Sequence, residues 1–495
     1  MDSIKLFLEK DTPEIYRLYD RILEGTGRLD DLIRVVEDRV LRLGLRMVEE
    51  LLEQTDRELK ELPGRSSRFH VERKNQQKEL LCSMGMLHFR RTGYTDLQTQ
   101  KYVYLLDRLL GIGSHERVTT ECIARILEEA SESSYAKGGR AASPKDKATK
   151  QAVKEWVHGL DFSEPPEEQK EKKKLPYLHI VADEDHVAAQ FHQRKGDLEK
   201  DENGNKNNTL LPKLIVLYED IYDEASEKQQ AKGKHRYRLT GKHVFSGTHK
   251  GSLANEYFWQ EVADYIEKTY DTEALERIYI AGDGAPWIKA GTGILVKSRF
   301  VLDRFHMMKY VNESVSHLED SADDAKSEVW EALNTGDREE LGNIYARILA
   351  ATESESKAEA VKKAYRYFIN QWDGIMTRVE EAGGCWKCCA EGQVSHILSA
   401  RMSSRPMGWS ERGCDQMSHL RAYRENGGKV IDLLRYKEQQ EKQKKGREEM
   451  EEKDRLIREY RRKRSGTYED VTALQIPGIS LKSMKWMRDF LKNAM

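Results

Sequence analysis

Three places in the chain put a carboxylate where a strand or helix could present it to a metal ion. In Leu178-His179-Ile180-Val181-Ala182-Asp183-Glu184-Asp185-His186-Val187 a run of buried-type residues leads into a cluster of acids. In Ile278-Tyr279-Ile280-Ala281-Gly282-Asp283-Gly284-Ala285-Pro286-Trp287-Ile288 a glycine on each side of Asp283 lets the backbone turn sharply at a strand end and leaves the carboxylate projecting. The third place, Ala390-Glu391-Gly392-Gln393-Val394-Ser395-His396, is followed by Ser403-Ser404-Arg405-Pro406. Such a set suits phosphodiester chemistry on two magnesium ions about 4 Å apart, one activating the attacking oxygen and one stabilising the leaving oxygen. Magnesium takes oxygen ligands and keeps several waters, so three carboxylates suffice. Spacing alone does not choose these three, because the chain has 85 acidic residues and strands often end in Asp where a polar loop begins. Asp185 is the rival first ligand: two residues beyond Asp183, it would face the same side of a strand.

The elements that must position these acids can be read from apolar spacing. Residues 12–62 predict helices, with Leu32, Val36, Val40, Leu43, Met47 and Leu51 forming one stripe on a charged rod. After Pro63-Gly64, Arg65, Arg68, Arg73, Lys74 and Lys78 precede 80–89, which reads as a hairpin interrupted by Gly85 and followed by Arg90 and Arg91. That basic stretch suits phosphate contacts or an ordinary solvated surface. Residues 118–130 and 147–157 read as two helices around a glycine-containing turn at 134–139. The second helix carries Thr149, Lys150, Gln151 and Lys154 early, types that can reach DNA from a recognition helix, although many helical domains share this outline. A Glu- and Lys-rich linker spans 165–174.

Beyond the linker the period changes. Residues 175–182, 211–218, 237–245, 278–281 and 300–302 read as strands of one sheet. A long helical stretch follows from about 307 to 382, broken near Gly336 and Ser354, and 436–465 is a charged segment with too few apolar residues for a core. The expected divisions are a helical region 1–62, a basic hairpin and helix-turn-helix-like DNA-binding region 63–163, a linker 164–175, a catalytic core 176–306, a helical insertion 307–384, the rest of the core 385–435, and a charged tail 436–495.

Composition sets outer limits. At 495 residues and 38% hydrophobic content the chain can build more than one core. Charged residues make up 34% of it while the net charge is only -2, so local fields of both signs are expected, and DNA binding depends on where cations cluster. No apolar run approaches the roughly 20 residues needed to span a bilayer, and no leader pattern is present, which predicts a cytoplasmic protein without a membrane partner. Six scattered cysteines are not a disulfide scaffold. Cys385, Cys388, Cys389 and Cys414 with His396 could be drawn as a zinc site, but with one two-residue spacing a thiol cluster is the preferred reading.

The blocks 182–187, 281–288, 391–396 and 403–410 together resemble those of the ISLre-two family of insertion-sequence transposases, an uncharacterised protein family related to Mutator-like transposases, and the resemblance runs to about residue 435. In the wider Mutator-like group an all-helical insertion separates the second and third catalytic acids. The resemblance implies an α/β ribonuclease-H-like catalytic domain with a helical insertion, preceded by a mainly helical DNA-binding region. It implies that Asp183, Asp283 and Glu391 are the catalytic and metal-binding acids, with two magnesium ions, for which manganese can substitute. Asp183 is preferred to Asp185 because the family block places His and Val three and four residues after its acid. The implied reaction is hydrolysis at transposon ends followed by strand transfer into target DNA, which requires double-stranded DNA, a homo-oligomer to pair the ends, and a place at the nucleoid.

Members of the wider group often carry a Cys or Asp separated by two residues from a His, which Asp303 and His306 supply here; the pair could fix the site's edge, touch the DNA backbone, or form an ordinary hydrogen bond. Arg405 is expected to clamp phosphate, and Trp287 and Trp409 to serve as core rather than as stacking platforms. The alternative is a non-catalytic DNA-binding protein, a repressor or a decayed transposase, which has no need of Asp283 between two glycines. No His-apolar-His cluster or Arg-His-Arg-Tyr constellation points to another recombinase chemistry.

Overall fold

Apolar alternation builds two separate sheets, one in each of two units. The computed structural model describes residues 2–113, 115–165, 171–191, 199–200, 206–381, 390–405, 407–444 and 454–458. By internal packing one unit comprises 1–119 with the described residues from 439 onward, and the other 120–438.

In the first unit, helix α1 (Thr12–Leu23) precedes the 32-residue α2 (Leu29–Lys60), and strands β1 (Phe69–Cys82), β2 (Gly85–Asp96) and β3 (Tyr102–Tyr104) form an antiparallel sheet. Leu45, Val48, Leu52 and Leu59 of α2 pack on a core that includes Phe69, Leu80, Leu87, Phe89 and Tyr94. The hairpin turns at Gly85 as expected, but its pairing runs back to Phe69 opposite Asp96. Two of its cations are interior. The Lys78 ammonium donates to the Glu116 carbonyl, and the Arg91 guanidinium lies against Asp107 and 3.5 Å above the Tyr104 ring centre. Leu456, in the stretch expected to lack a core, is buried in this unit.

The second unit opens with α3 (Thr120–Glu132), α4 (Tyr135–Arg140) and α5 (Lys150–His158). The turn expected at 134–139 is itself helical. Its glycines serve close packing: a Cβ at Gly138 would lie 2.7 Å from that of Ala130, and one at Gly139 would lie 2.3 Å from the Ala148 carbonyl oxygen. Arginines from 401–424 hold the end of α3: Arg401 Nε donates to Ala130 O (3.0 Å), Arg421 to Ser131 O (2.7 Å) and Arg424 to Glu128 O (3.0 Å). Cations on carbonyls at a helix C-terminus are favourable both as hydrogen bonds and against the helix dipole. The hairpin and these helices, expected together in 63–163, therefore fall in different units.

The unit's five-stranded sheet consists of β4 (Tyr177–Glu184), β5 (Lys213–Tyr218), β6 (His243–Gly247), β7 (Arg277–Gly282) and β8 (Ser298–Leu302), in the order β6-β5-β4-β7-β8. The pairs β6/β5 and β5/β4 are antiparallel, and β4/β7 and β7/β8 are parallel. All six side chains of β5 are buried, as a central strand requires. The run 237–245 splits at Gly241: Tyr237–Thr240 pairs with Asp220–Asp223 in a separate hairpin, and only the later part joins the sheet.

Alternating side chains give the sheet two buried faces. Leu178, Ile180, Ala182, Ile278 and Ile280 meet α6 (Ser252–Thr269), α7 (Pro286–Ile294) and the helical insertion. The insertion consists of α8 (Arg304–Val315), α9 (Ala322–Thr335), α10 (Arg338–Ala350), α11 (Glu355–Asn370) and α12 (Trp372–Glu380), and its breaks fall at Gly336 and Ser354. Val181, Leu214 and Val216 on the opposite face meet α3, α5, α13 (Ala390–Val394) and α14 (Glu411–Glu425). The result is a helix-sheet-helix sandwich. No helix among the described residues is long and apolar enough to cross a membrane.

Candidate active site

Strand register brings the first two acids level. Tyr177 pairs with Arg277 and Val181 with Ala281, so two further steps set Asp283 beside Asp183 at the C-terminal ends of neighbouring parallel strands. Gly282 pairs with Leu302, which sets Asp303 next in the same row. Val181 and Ala281 both face the second core, and Asp183, two residues on, shares that side. Glu391 is exposed on α13, which packs against β4 and buries Ala390 and Val394 on either side of it in sequence.

The loop holding Asp283 is fixed at several points. Its Oδ1 accepts the Ala285 N–H at 2.8 Å, a side-chain turn that leads into α7. Gly284 has φ +88°, and a Cβ there would come within 2.3 Å of the Gln371 side chain. From the insertion, the Tyr367 hydroxyl donates to the Asp283 carbonyl at 2.7 Å, and Gln371 Nε2 donates to the Gly284 carbonyl at 3.3 Å.

Asp183 is 7% exposed. Burial pushes its carboxyl up to about 7, and the charges of Asp283 and Glu391 push the same way, while the hydrogen bond from the Glu184 N–H (2.8 Å) and the nearby His306 oppose them. His306 completes the picture. Burial disfavours its charged form, but the contact of its Nδ1 with Asp303 Oδ2 (3.2 Å) and the charges of Asp183, Asp303 and Asp283 outweigh burial and raise its pKa. Asp303 also caps α8 by accepting the Phe305 and His306 N–H groups. The Asp303–His306 pair thus holds a cation-prone ring in the field of the acids.

Among the described residues no three His, Cys, Asp or Glu side chains stand close enough to hold a metal ion. The acids are neighbours in field rather than a closed cage. Their chemistry nonetheless fits a hard divalent cation, because all three offer carboxylate oxygens and a buried Asp183 opposed by two like charges favours an incoming positive charge.

The remaining candidates lie elsewhere. Asp185 is taken up by Ser403, whose Oγ donates to its carboxylate (3.1 and 2.9 Å), so it ties the 403 loop to the sheet. Thr149 caps α5 by accepting the Ala152 N–H, Gln151 donates to Glu155, and Lys150 and Lys154 are exposed; none is brought to the acids. Arg405 and His396 are exposed, the latter with its carbonyl held by Arg421. Trp287 and Trp409 are core, Trp409 Nε1 donating to Met402 O at 3.0 Å. Cys414 is buried, its thiol pushed up to about 12 by burial, while Cys385, Cys388 and Cys389 lie outside the described residues. Sequence reasoning missed Tyr367 and Gln371, for which a helix interior gives no signal. It also missed Lys213, paired in register with Glu184, whose signal was a lone cation opening a strand of apolar residues.

Comparison with known proteins gives a family. A family model described as an uncharacterised protein family, UPF0236, matches residues 23–443. A UPF0236 protein of Caldanaerobacter subterraneus subsp. tengcongensis is 35% identical over 422 residues, covering 85% of this chain and 83% of its own, and its name joins eleven loci. A second from the same organism is 34% identical, covering 85% of this chain and 84% of its own. The solved Drosophila P element transposase strand transfer complex matches over 66% of this chain and 83% of that one, at 13% identity and a TM-score of 0.22.

Proposed function

This chain belongs to the uncharacterised protein family UPF0236, and we propose that it is a DNA transposase that hydrolyses phosphodiesters at transposon ends and joins the freed 3′-hydroxyl to target DNA. The observation that carries this reading is the row of acids: Asp183 near the end of one strand and Asp283 just past the end of its parallel neighbour, with the charges of Asp283 and Glu391 acting on Asp183. A five-stranded mixed sheet clothed by helices on both faces supports a ribonuclease-H-like domain. The name joining eleven loci of one genome supports a gene that copies itself to new sites.

Asp183, Asp283 and Glu391 would hold two magnesium or manganese ions, which when bound lower the pKa of the attacking oxygen and offset charge on the leaving one. The chain's own part is positioning. Tyr367 and Gln371 fix the Asp283 loop from one side of the sheet, while α13 presents Glu391 from the other. His306, kept cation-prone by Asp303, sits where a scissile phosphate would bring negative charge. Strand transfer needs both ends at once, so two or more copies on double-stranded DNA at the nucleoid belong to the proposal, with Arg405, Lys150 and Lys154 as exposed phosphate contacts.

The test is magnesium-dependent cleavage of DNA carrying the element's own ends, comparing wild type with Asp283→Ala. Loss of cutting by at least about a hundredfold with retained DNA binding is expected. Equal cutting by both proteins would leave the chain as a DNA binder without this chemistry.

A further inference from the structure

Next to the acid row, α8 and α11 flank an open groove of about 510 Å³ lined by Tyr310, Glu359, Lys363, Arg366, Tyr367 and Asn370. Its floor is aromatic: the Tyr310 and Tyr367 rings stack with centroids 4.0 Å apart at 23°. Its rim is cationic. Lys363 Nζ stands 5.9 Å from the Tyr310 centroid, and neither Lys363 nor Arg366 has a carboxylate within ion-pair distance among the described residues. Glu359, the rim's acid, is paired with Lys362 at 2.9 Å, and the charge of Arg366 also acts on it.

The cavity and the acids share structure. Tyr367, which forms the cavity wall, is the residue whose hydroxyl holds the Asp283 carbonyl. Tyr310 lies one helical turn beyond His306 on α8, so the same helix face turns the imidazole to the acids and the phenol ring to the cavity. An aromatic platform with cations at its edge is the recognition chemistry of a nucleotide, whose base stacks while its phosphate is neutralised. The volume falls within the range of ordinary ligand pockets.

We propose that this pocket takes one unpaired nucleotide of the strand that passes over the acids, its base on the Tyr310 ring and its phosphate between Lys363 and Arg366. The inference rests on the transposase reading for the identity of the strand; a free nucleotide shares the same chemistry. Lys363, on a flexible stem, gives up the ring face and turns to the phosphate.

The test uses the full chain and two fluorescent DNA probes of one sequence, a blunt duplex and a duplex with a three-nucleotide unpaired flank bearing 2-aminopurine. Wild type should bind the flanked probe about tenfold more tightly and quench the 2-aminopurine, a preference in the range of one stacked base. Tyr310→Ala should abolish the preference and the quenching while keeping blunt-duplex affinity within twofold, and Tyr310→Trp should restore both. Lys363→Ala with Arg366→Ala, both exposed, should lower flanked-probe affinity and its salt dependence even if Tyr310→Ala folds poorly. Equal preference in wild type and Tyr310→Ala overturns the proposal, as does displacement of the flanked probe by micromolar ATP or GTP, which would assign the pocket to a free nucleotide. Asp283→Ala separates the two readings. It should keep the flanked-probe preference while losing cleavage; cutting by Asp283→Ala at the wild-type rate removes the transposase reading and leaves the pocket standing.

Discussion

Replacing Asp183 with Asn should make the metal-free protein more stable and inactive at the same time. The Asp183 carboxyl is raised from 3.8 to about 7, chiefly by burial and further by Asp283 and Glu391. For an acid whose folded pKa lies above its unfolded value, stability falls as pH rises from about 4 to about 7 and is level beyond. Three units correspond to roughly 4 kcal/mol at pH 8, an upper figure because local rearrangement relieves part of it. Asn has the same shape, keeps an oxygen for the Glu184 N–H, and cannot ionise. In EDTA at pH 8, Asp183→Asn should therefore unfold later than wild type, by up to about 8 °C at the roughly 2 °C per kcal/mol of large domains. Adding magnesium should raise wild type toward the variant and move the variant less, since a bound cation offsets the repulsion only where the charge exists. Scanning calorimetry with and without magnesium measures both effects. A variant less stable than wild type in EDTA, or an equal magnesium shift in both, would refute the picture of three like charges held in one field.

Tyr367→Phe removes one hydroxyl and leaves the Asp283 carbonyl without its donor, a loss of about 1–3 kcal/mol. Single-turnover cleavage should slow by about tenfold with DNA binding within twofold; wild-type rates would show that the insertion does not position the acid. His179 gives the acid limb of stability. It is buried and stacked between Tyr218 (5.2 Å) and Tyr279 (5.6 Å), and burial lowers its pKa from 6.5 to about 4. The unfolded chain binds this proton first, so stability should fall by about 3 kcal/mol as pH drops from 6.5 to 4. In the Asp183→Asn background the opposing carboxyl is absent, and His249, also lowered to about 4 by burial, adds to the same slope. There His179→Phe should reduce the slope of urea midpoint against pH by its own share, and an unchanged slope would rule out a buried neutral ring at 179.

What could be read from the sequence was whatever a local pattern encodes. Val-, Ile- and Tyr-rich runs marked four strands of the main sheet and the start of the fifth, whose expected run 237–245 is divided between two sheets, and Gly85, Gly336 and Ser354 marked real turns and breaks. The flanking glycines pointed to Asp283 because the loop needs a positive φ at 284. What could not be read depends on distant pairs. Nothing within a helix says that Tyr367 will meet a carbonyl 84 residues away, or that Arg401, Arg421 and Arg424 will converge on the end of α3. Charge was misleading for the same reason: Lys78 and Arg91 read as surface cations, yet each finds a buried partner that only the folded chain supplies. Asp183 and Asp185 were equivalent by alternation and only the family block separated them; that Ser403, 218 residues away, would hydrogen-bond to Asp185 had no local signal.

The placement of the helical insertion between the second and third acids follows from what each acid lacks. Asp183 still lies within its strand and pairs with Leu214 of β5, but Asp283 lies one residue past its strand, where the ladder has ended. Its backbone needs a second anchor, and α11 supplies one through Tyr367 from the first face of the sheet. Glu391 has no strand at all. It rides on α13, whose buried Ala390 and Val394 belong to the opposite face. The second and third acids are thus set by different layers that share only the sheet between them. A change in the insertion should therefore disturb Asp283 while leaving Glu391 in place, and a change under α13 should do the reverse, so the proposed cleavage should be open to weakening from either side without unfolding the other.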